Sequence, residues 1–254
     1  MTKSLILFDV DGTLTDSRKI IKQNMINTLN KLKENVNLDI GIISGSDLKK
    51  QKEQLGEENL KLFNYVFSEN GLVSFENGEL FHSKSIIDTL SEKHYKALIN
   101  ICFEALIACN PPKKKGTFIE LRTGIINVSP IGRSCSQEER EEFYKLDLIH
   151  KYREKMIKDI SLKWEIYQYY YPEDDIIDLT LSIGGQIGID IFAKGCDKTY
   201  CLQFVENKYD KILFFGDRTM KGGNDYEIFN HPLTESYSVN NSEDTIKLLN
   251  QFYY

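Results

Sequence analysis

The sequence has no C-x-x-C pair. Its five cysteines, Cys102, Cys109, Cys135, Cys196 and Cys201, are odd in number and scattered. That excludes a disulfide frame or a thiolate zinc site as the organising feature and predicts reduced thiols in a cytoplasmic protein. The sequence also has no basic excess. A formal net charge of −6 gives nucleic acid or an anionic membrane no electrostatic hold as the main partner. It leaves room for a small anionic substrate wherever basic residues gather. Long hydrophobic runs are missing as well. The apolar Leu5-Ile6-Leu7-Phe8 stops at Asp9 and Asp11, too early for a signal peptide or a membrane span. Internal repeats and low-complexity tracts are absent.

What is present is a chain of 254 residues, 41% hydrophobic and 28% charged. This suits one large domain or two modest ones, with a core that needs no staples. The first part alternates strand and helix signals. Leu5 to Val10 reads as a strand buried on both faces. Ile20, Ile21, Met25, Ile26, Leu29 and Leu32 recur at helical spacing. Ile40 to Ile43 predicts a second buried strand ending in the turn-forming Ser44-Gly45-Ser46-Asp47, and Tyr65-Val66-Phe67 a third after a polar helix. Such alternation predicts a Rossmann-like, doubly wound parallel sheet.

Near residue 72 the style changes to hairpins. Val73-Ser74-Phe75 and Leu80-Phe81 flank Asn77-Gly78, which suits a type I′ turn. Phe118 to Arg122 with Ile125 to Val128, and Leu181 to Ile183 with Ile187 to Phe192, predict two more strand pairs. Helices are expected over about residues 91–109 and after the capping-box pattern Ser136-Gln137-Glu138-Glu139. Beyond Lys198 the first style returns, with a buried strand at Lys211 to Phe215 and a last helix from Thr245 to Phe252. The expected organisation is a core of residues 1–80 and 193–254 carrying an inserted antiparallel α+β cap of residues 81–192. Trp164 to Asp178 fits neither style and is expected to be a surface excursion of the cap.

Two acidic clusters follow apolar strands, Asp9 with Asp11 and Asp217 with Asp225. A carboxylate there is costly unless something uses it, and open parallel sheets bind ligands beyond the carboxyl ends of their strands. Residues two apart tend to project to one side, which groups Asp9 with Asp11. A hard divalent cation relieves the repulsion between crowded carboxylates, and oxygen ligands without histidine or thiolate suit Mg²⁺. Mg²⁺ also neutralises a phosphoryl group and allows a carboxylate to attack it. A lone strand-end aspartate is ordinarily a cap or turn residue. The order strand, Asp9-Val10-Asp11-Gly12-Thr13, helix, joined by a remote Gly216-Asp217 after another strand, is a far more specific signal.

Asp9-Val10-Asp11-Gly12-Thr13-Leu14-Thr15 resembles the first motif of the haloacid dehalogenase superfamily of aspartate-nucleophile phosphotransferases. Ser68-Glu69-Asn70-Gly71, Gly116 to Arg122, Asn127 to Cys135, Gly184-Gly185-Gln186, and Phe214-Phe215-Gly216-Asp217 through Gly222-Gly223-Asn224-Asp225 resemble the eukaryotic-type phosphomannomutases. The similarity runs over nearly the whole chain. It implies that Asp9 is the nucleophile and Asp11 the general acid/base. Asp9, Asp217 and the backbone carbonyl of Asp11 would hold Mg²⁺, supported by Asn224 and Asp225. Ser46, with Ser44 as a competing choice, and Lys198 would hold the transferring phosphate. Arg122, Arg133 and Arg140 would grip the phosphate that is not reacting, and Arg18 would contact substrate from the core. Guanidinium suits that task on physical grounds too, with its rigid donor fork and permanent charge. Lys113-Lys114-Lys115 is read as a solvated turn.

The chain departs from the family pattern in three places. Gly188 stands where a serine is common, two residues before the matching Asp190, so one hydroxyl contact is lost. Ala193-Lys194-Gly195-Cys196-Asp197-Lys198 keeps the lysine but alters its lead-in. His231 replaces an aspartate of a second metal site that includes Phe229 and Thr234, and histidine is a poor Mg²⁺ ligand.

The implied activity is reversible conversion of mannose 6-phosphate to mannose 1-phosphate, feeding GDP-mannose synthesis. A hexose 1,6-bisphosphate is the intermediate and activator, glucose phosphates are accepted too, and the assembly is a homodimer. The rival expectations are a sugar-phosphate phosphatase on the same scaffold and an inactive sugar-phosphate-binding protein.

Overall fold

The apolar run at the N-terminus forms strand β1 (Ser4–Phe8), all but its first residue buried. A computed structural model describes residues 3–172 and 176–253. It divides into two units, Met1–Ser83 with Cys196–Tyr254, and Lys84–Gly195; elements are numbered along the chain.

In the first unit, β1 is followed by α1 (Gln23–Lys33), β2 (Leu38–Ile43), α2 (Leu48–Leu55), the single turn α3 (Glu57–Leu60), β3 (Tyr65–Ser68), β4 (Val73–Glu76) and β5 (Glu79–Ser83). The later segment adds β10 (Lys211–Gly216), α7 (Tyr226–Phe229), β11 (Thr234–Ser238) and α8 (Ser242–Tyr253). The seven strands run in the order β11-β10-β1-β2-β3-β4-β5. The first five are parallel, and β4 and β5 are antiparallel additions. Two apolar layers cover the sheet. One holds Ile6, Phe8, Ile40 and Ile42 with Met25, Leu29 and Leu32 of α1. The other holds Leu5, Leu7, Phe67 and Phe214 with Cys201, Leu202 and Ile228. Burial on both faces is why these strands read as continuous apolar runs.

The Asn77-Gly78 hairpin forms with φ of 51° and 86°, the double positive φ of a type I′ turn. It extends the core sheet. The boundaries expected at 80/81 and 192/193 fall inside β5 and inside the strand β9 (Gly188–Ala193). The units divide just beyond those strands, since a ladder is not cut without opening its hydrogen bonds.

The second unit contains α4 (Ile86–Ala108), β6 (Ile119–Leu121), β7 (Ile126–Val128), α5 (Gln137–His150), α6 (Tyr152–Tyr170), β8 (Leu179–Gly184) and β9 (Gly188–Ala193). Its four strands are all antiparallel, in the order β6-β7-β9-β8. Ile126, Val128, Ile189 and Ile191 pack on Leu98, Cys102 and Ala105 of α4 and Met156, Ile160 and Trp164 of α6. The strand period of two then sends the alternate residues to the opposite face. There Glu120 pairs with Asn127, Asn127 with Asp190, and Asp190 with Ser182, a polar row across the whole sheet.

Two expectations are corrected in this unit. The helix expected over 91–109 starts earlier, at Ile86 behind the Ser85 cap, and bends at Ser91, where φ is 64°. Trp164 to Tyr170 is no surface excursion but the last part of α6. Trp164 is 3% exposed and donates from Nε1 to the Ile177 carbonyl at 3.3 Å. The tyrosines hid this, because only Trp164 and Tyr167 of that stretch turn into the core cluster. Residues 173–175 of the same expectation lie outside the described residues.

Candidate active site

The parallel pairing of β1 with β10 sets Phe8 opposite Phe215. The residues that follow, Asp9 and Gly216-Asp217, therefore emerge together at one end of the sheet, and the Asp9 N–H donates to the Phe215 carbonyl at 2.9 Å. The chain then turns back sharply, with the N–H groups of Leu14 and Thr15 on the Val10 carbonyl at 3.1 and 3.0 Å. Gly12 is required at the turn: its φ is 85°, and a Cβ there would collide with the Asp217 carboxylate.

Asp225 arrives in the same place from the loop after β10. Its Oδ2 accepts the Arg218 N–H at 3.0 Å. Among the described residues, Asp9, Asp217 and Asp225 are the grouping of acidic, histidine or cysteine side chains whose ligand atoms converge, all within 4.8 Å of one another. Lys198, at the start of the 3-10 turn Lys198–Phe204, is their counter-charge. Its ammonium contacts Asp9 and lies 2.6 Å from Asp225 Oδ1. Burial raises the Asp9 pKa well above its ordinary value; Lys198 opposes this, and Asp225 and Asp217 add to it. Burial and the Asp225 charge push Asp217 up to about 6. Burial works against the charge of Lys198, but the Asp225 and Asp9 carboxylates outweigh it and raise its pKa.

This cluster fits a hard cation. Three carboxylates crowd together while the Lys198 ammonium contacts only Asp9 and Asp225 of the three, the donors are all oxygen, and Asn224, beside Asp225, has a buried Oδ1 without a hydrogen-bond partner among the described residues. A buried carbonyl oxygen left without a donor calls for a partner, and a bound ion or a water on it would supply one.

The Asp11 carboxylate is directed elsewhere. Its Oδ2 accepts Lys50 Nζ at 2.8 Å, and its Oδ1 accepts Gln54 Nε2 at 2.8 Å and the Arg18 N–H at 2.7 Å. Burial opposes its ionisation, but Lys50 and these hydrogen bonds prevail and lower its pKa to about 2. Asp47 caps α2 by accepting the Lys50 N–H at 2.8 Å, which sets Lys50 one turn beyond Ser46. The Ser46 hydroxyl accepts from Lys50 Nζ at 3.0 Å and is half-buried. The Ser44 hydroxyl is buried and accepts the Ser46 N–H at 3.1 Å. In the sequence, Lys50 and Gln54 have no role beyond membership of a polar helix. The available signal was their spacing of four from each other and of Lys50 from Ser46.

In the second unit the polar face of the sheet gathers the predicted arginines. Glu120 accepts Arg122 Nε at 2.9 Å and lies 3.2 Å from Arg133 Nε. Asn127 Oδ1 accepts Arg133 Nη1 at 2.7 Å, and Asn127 Nδ2 donates to Asp190 Oδ1 at 2.6 Å. Arg140, on α5 behind the capping box of Ser136 and Glu139, donates from Nη2 to the Arg133 carbonyl at 2.7 Å. It is 7% exposed, and its Nη1 is buried with no hydrogen-bond partner among the described residues. A Cβ at Gly188 would come within 2.6 Å of Asn127 Nδ2, so the missing side chain there makes room for the Asn127–Asp190 pair. Glu120 and Asn127 were missed in the sequence; their strand positions, alternating with Ile119 and Val128, were the signal.

Of the residues of the second expected metal site, Thr234 and His231 meet, while Phe229 bonds back to Asp225. Thr234 Oγ1 donates within reach of the Ile228 carbonyl at 2.6 Å and the His231 carbonyl at 3.0 Å. His231 Nδ1 accepts the Leu233 N–H at 3.3 Å, and the Phe229 N–H caps back to the Asp225 carbonyl at 2.9 Å.

A parallel sheet with Asp9 and Asp217 at its strand ends and a separate antiparallel sheet defines a haloacid dehalogenase-like protein with a cap. A haloacid dehalogenase-like hydrolase from Bacteroides thetaiotaomicron superposes with a TM-score of 0.58 over 99% of this chain and 100% of that one. At 13% identity that likeness concerns the fold alone. The model of the family described as eukaryotic phosphomannomutase matches residues 25–254. The chain is 48% identical over 252 residues to a phosphomannomutase of Galdieria sulphuraria, covering 99% of this chain and 95% of the relative. It is 46% identical over 255 residues to one of Schizosaccharomyces pombe, with the same shares covered. The chain belongs to the eukaryotic phosphomannomutase family.

Proposed function

We propose that this chain, a phosphotransferase, interconverts mannose 6-phosphate and mannose 1-phosphate by way of a phosphorylated Asp9 and a hexose 1,6-bisphosphate. The observation that carries the mechanism is the separation of two carboxylates from one strand end. Asp9 belongs to the buried cluster with Asp217 and Asp225, whereas Lys50, Gln54 and the Arg18 N–H hold the Asp11 carboxylate apart from it.

The free hydroxyl of the sugar attacks the phosphorus carried by Asp9, the bond from that phosphorus to the Asp9 oxygen breaks, and Asp11 takes the hydroxyl proton, giving the bisphosphate. In the second transfer Asp9 attacks the other phosphorus of the bisphosphate, the bond from that phosphorus to the sugar oxygen breaks, and Asp11 returns the proton to that oxygen. Lys198 balances charge beside Asp9, and Ser46 receives an oxygen of the transferring phosphate. Asp9, Asp217 and the Asp11 backbone carbonyl, supported by Asn224 and Asp225, would hold Mg²⁺, which would supply charge neutralisation of the phosphoryl group when bound.

Arg122, Arg133 and Arg140 hold the phosphate that is not reacting. Arg140 supports this, because a guanidinium kept from water with one donor unmet suits an anion. Asp190 receives a sugar hydroxyl, and Gly188 offers only backbone. The bisphosphate turns between the two transfers, so it also primes the enzyme. Glucose phosphates are substrates as well, since phosphate recognition says little about one hydroxyl's orientation.

A homodimer and a cytoplasmic location complete the reading; among the described residues no helix is long and apolar enough to cross a membrane. Phe229, His231 and Thr234 would bind a second cation weakly, since His231 offers a poor Mg²⁺ ligand and the Thr234 hydroxyl is engaged by the Ile228 and His231 carbonyls. The test is a coupled assay on mannose 1-phosphate. Isomer formation that depends on added hexose 1,6-bisphosphate supports the mutase, and inorganic phosphate accumulating without isomer contradicts it.

A further inference from the structure

Helix α2 carries Lys50 and Gln54 one turn apart, and both side chains end on Asp11. Neither is where such a residue usually lies. A helical lysine ordinarily keeps its ammonium in water, yet the Lys50 side chain is only 15% exposed. Gln54 is 4% exposed, and its amide nitrogen also lies 3.3 Å from Thr15 Oγ1. Its backbone carbonyl accepts the Ile21 N–H at 2.9 Å, which ties the helix to the loop beyond the Asp9 motif. A carboxylate has about four lone-pair sites. Lys50, Gln54 and the Arg18 N–H occupy three of those on Asp11, with at least one donor on each oxygen.

We propose that Lys50 and Gln54 are positioning residues of the transfer step, fixing the rotation of the Asp11 carboxylate so that its remaining lone pair meets the sugar oxygen. The same clamp keeps Asp11 from turning toward Asp9, Asp217 and Asp225 as a further ligand. Lys50 adds a link to the phosphate. Its ammonium touches Ser46 Oγ at 3.0 Å as well as Asp11 at 2.8 Å, so the group that receives the phosphoryl oxygens and the group that handles the proton share one donor. The inference rests on the reading of Asp11 as acid/base. Its consequence is specific: a loosened Asp11 should impair transfer to and from the sugar while leaving phosphorylation of Asp9 by a good leaving group intact.

The experiment uses the full chain with Mg²⁺ and compares the parent with Lys50→Met, Lys50→Arg and Gln54→Leu. Three quantities are read: acetyl-phosphate labelling of Asp9, kcat and KM for isomerisation, and inorganic phosphate released per isomer formed. For Lys50→Met and Gln54→Leu, kcat should fall roughly tenfold or more, the scale of a misplaced catalytic group. KM and labelling should stay near the parent's, and phosphate release per isomer should rise. Lys50→Arg should recover most of the rate. Unchanged kcat in Gln54→Leu, or labelling lost in step with kcat in either variant, overturns the inference. If Lys50→Met does not fold, Gln54→Leu and Lys50→Arg carry the same test. Failure of the parent itself to isomerise would instead remove the functional reading beneath it.

Discussion

The ammonium of Lys198 lies 2.6 Å from Asp225 Oδ1, and both side chains are wholly excluded from solvent. Asp9 contacts the same ammonium, so one buried cation serves two buried carboxylates. Removing one partner of such a group leaves uncompensated charge in the interior, typically about 3–5 kcal/mol of destabilisation. Lys198→Met should lose stability on that scale in urea unfolding without Mg²⁺, and added Mg²⁺ should recover part of it. A midpoint within experimental scatter of the parent's would contradict the arrangement.

The same crowding sets a pH dependence. The Asp217 pKa, ordinarily 3.8, is raised to about 6 in the folded protein, so the native state binds its proton more tightly than the unfolded chain does. Metal-free protein should therefore lose stability as pH rises from about 4 through about 6, where only the native form still holds that proton. Asp11 acts in the opposite sense and elsewhere, its contribution being lost as pH falls from 3.8 through about 2. Thermal unfolding of metal-free Asp217→Asn between pH 4 and 6 should show a flatter slope than the parent. Equal slopes would show that Asp217 is not the group responsible.

The parallel sheet was legible because burial on both faces leaves an unbroken apolar run, as in Leu5 to Phe8. The strand-end aspartates were legible because charge directly after such a run has few structural uses. Lys50 was not, since Lys49 and Lys50 are chemically alike and only the turn imposed by the Asp47 cap decides which one faces Asp11. Glu120 and Asn127 were lost for a related reason: β6 and β7 have three residues each, too few for a clear alternation. The end of α6 was misread because tyrosine serves equally on a core face and a wet one, as buried Trp164 beside exposed Tyr169 and Tyr170 shows.

Arg140→Met separates binding from folding. The buried Nη1 has no partner among the described residues, so the free protein should be nearly as stable without the charge, or more so. Substrate binding should suffer, with kcat/KM for mannose 1-phosphate falling at least about tenfold, or roughly 1.4 kcal/mol. Parallel loss of melting temperature and activity would assign Arg140 to the fold.

Asp11→Asn tests the division between the two carboxylates of the strand end. Asparagine can neither give nor take the proton, while the backbone carbonyl is unchanged. Isomerisation should fall about a hundredfold, with Mg²⁺ affinity retained. Metal binding lost together with activity would make the Asp11 side chain chiefly a ligand.

The central claim is that Asp9 itself carries the phosphoryl group. Protein incubated with acetyl phosphate and Mg²⁺, quenched in acid and digested, should show the mass of one added phosphoryl group on the peptide containing Asp9. The phosphoryl group first carried by Asp9 should pass to mannose 1-phosphate added before the quench and appear in mannose 6-phosphate, and Asp9→Asn should neither acquire the adduct nor isomerise. A phosphoryl group on any other residue, or isomerisation by Asp9→Asn, would contradict the account.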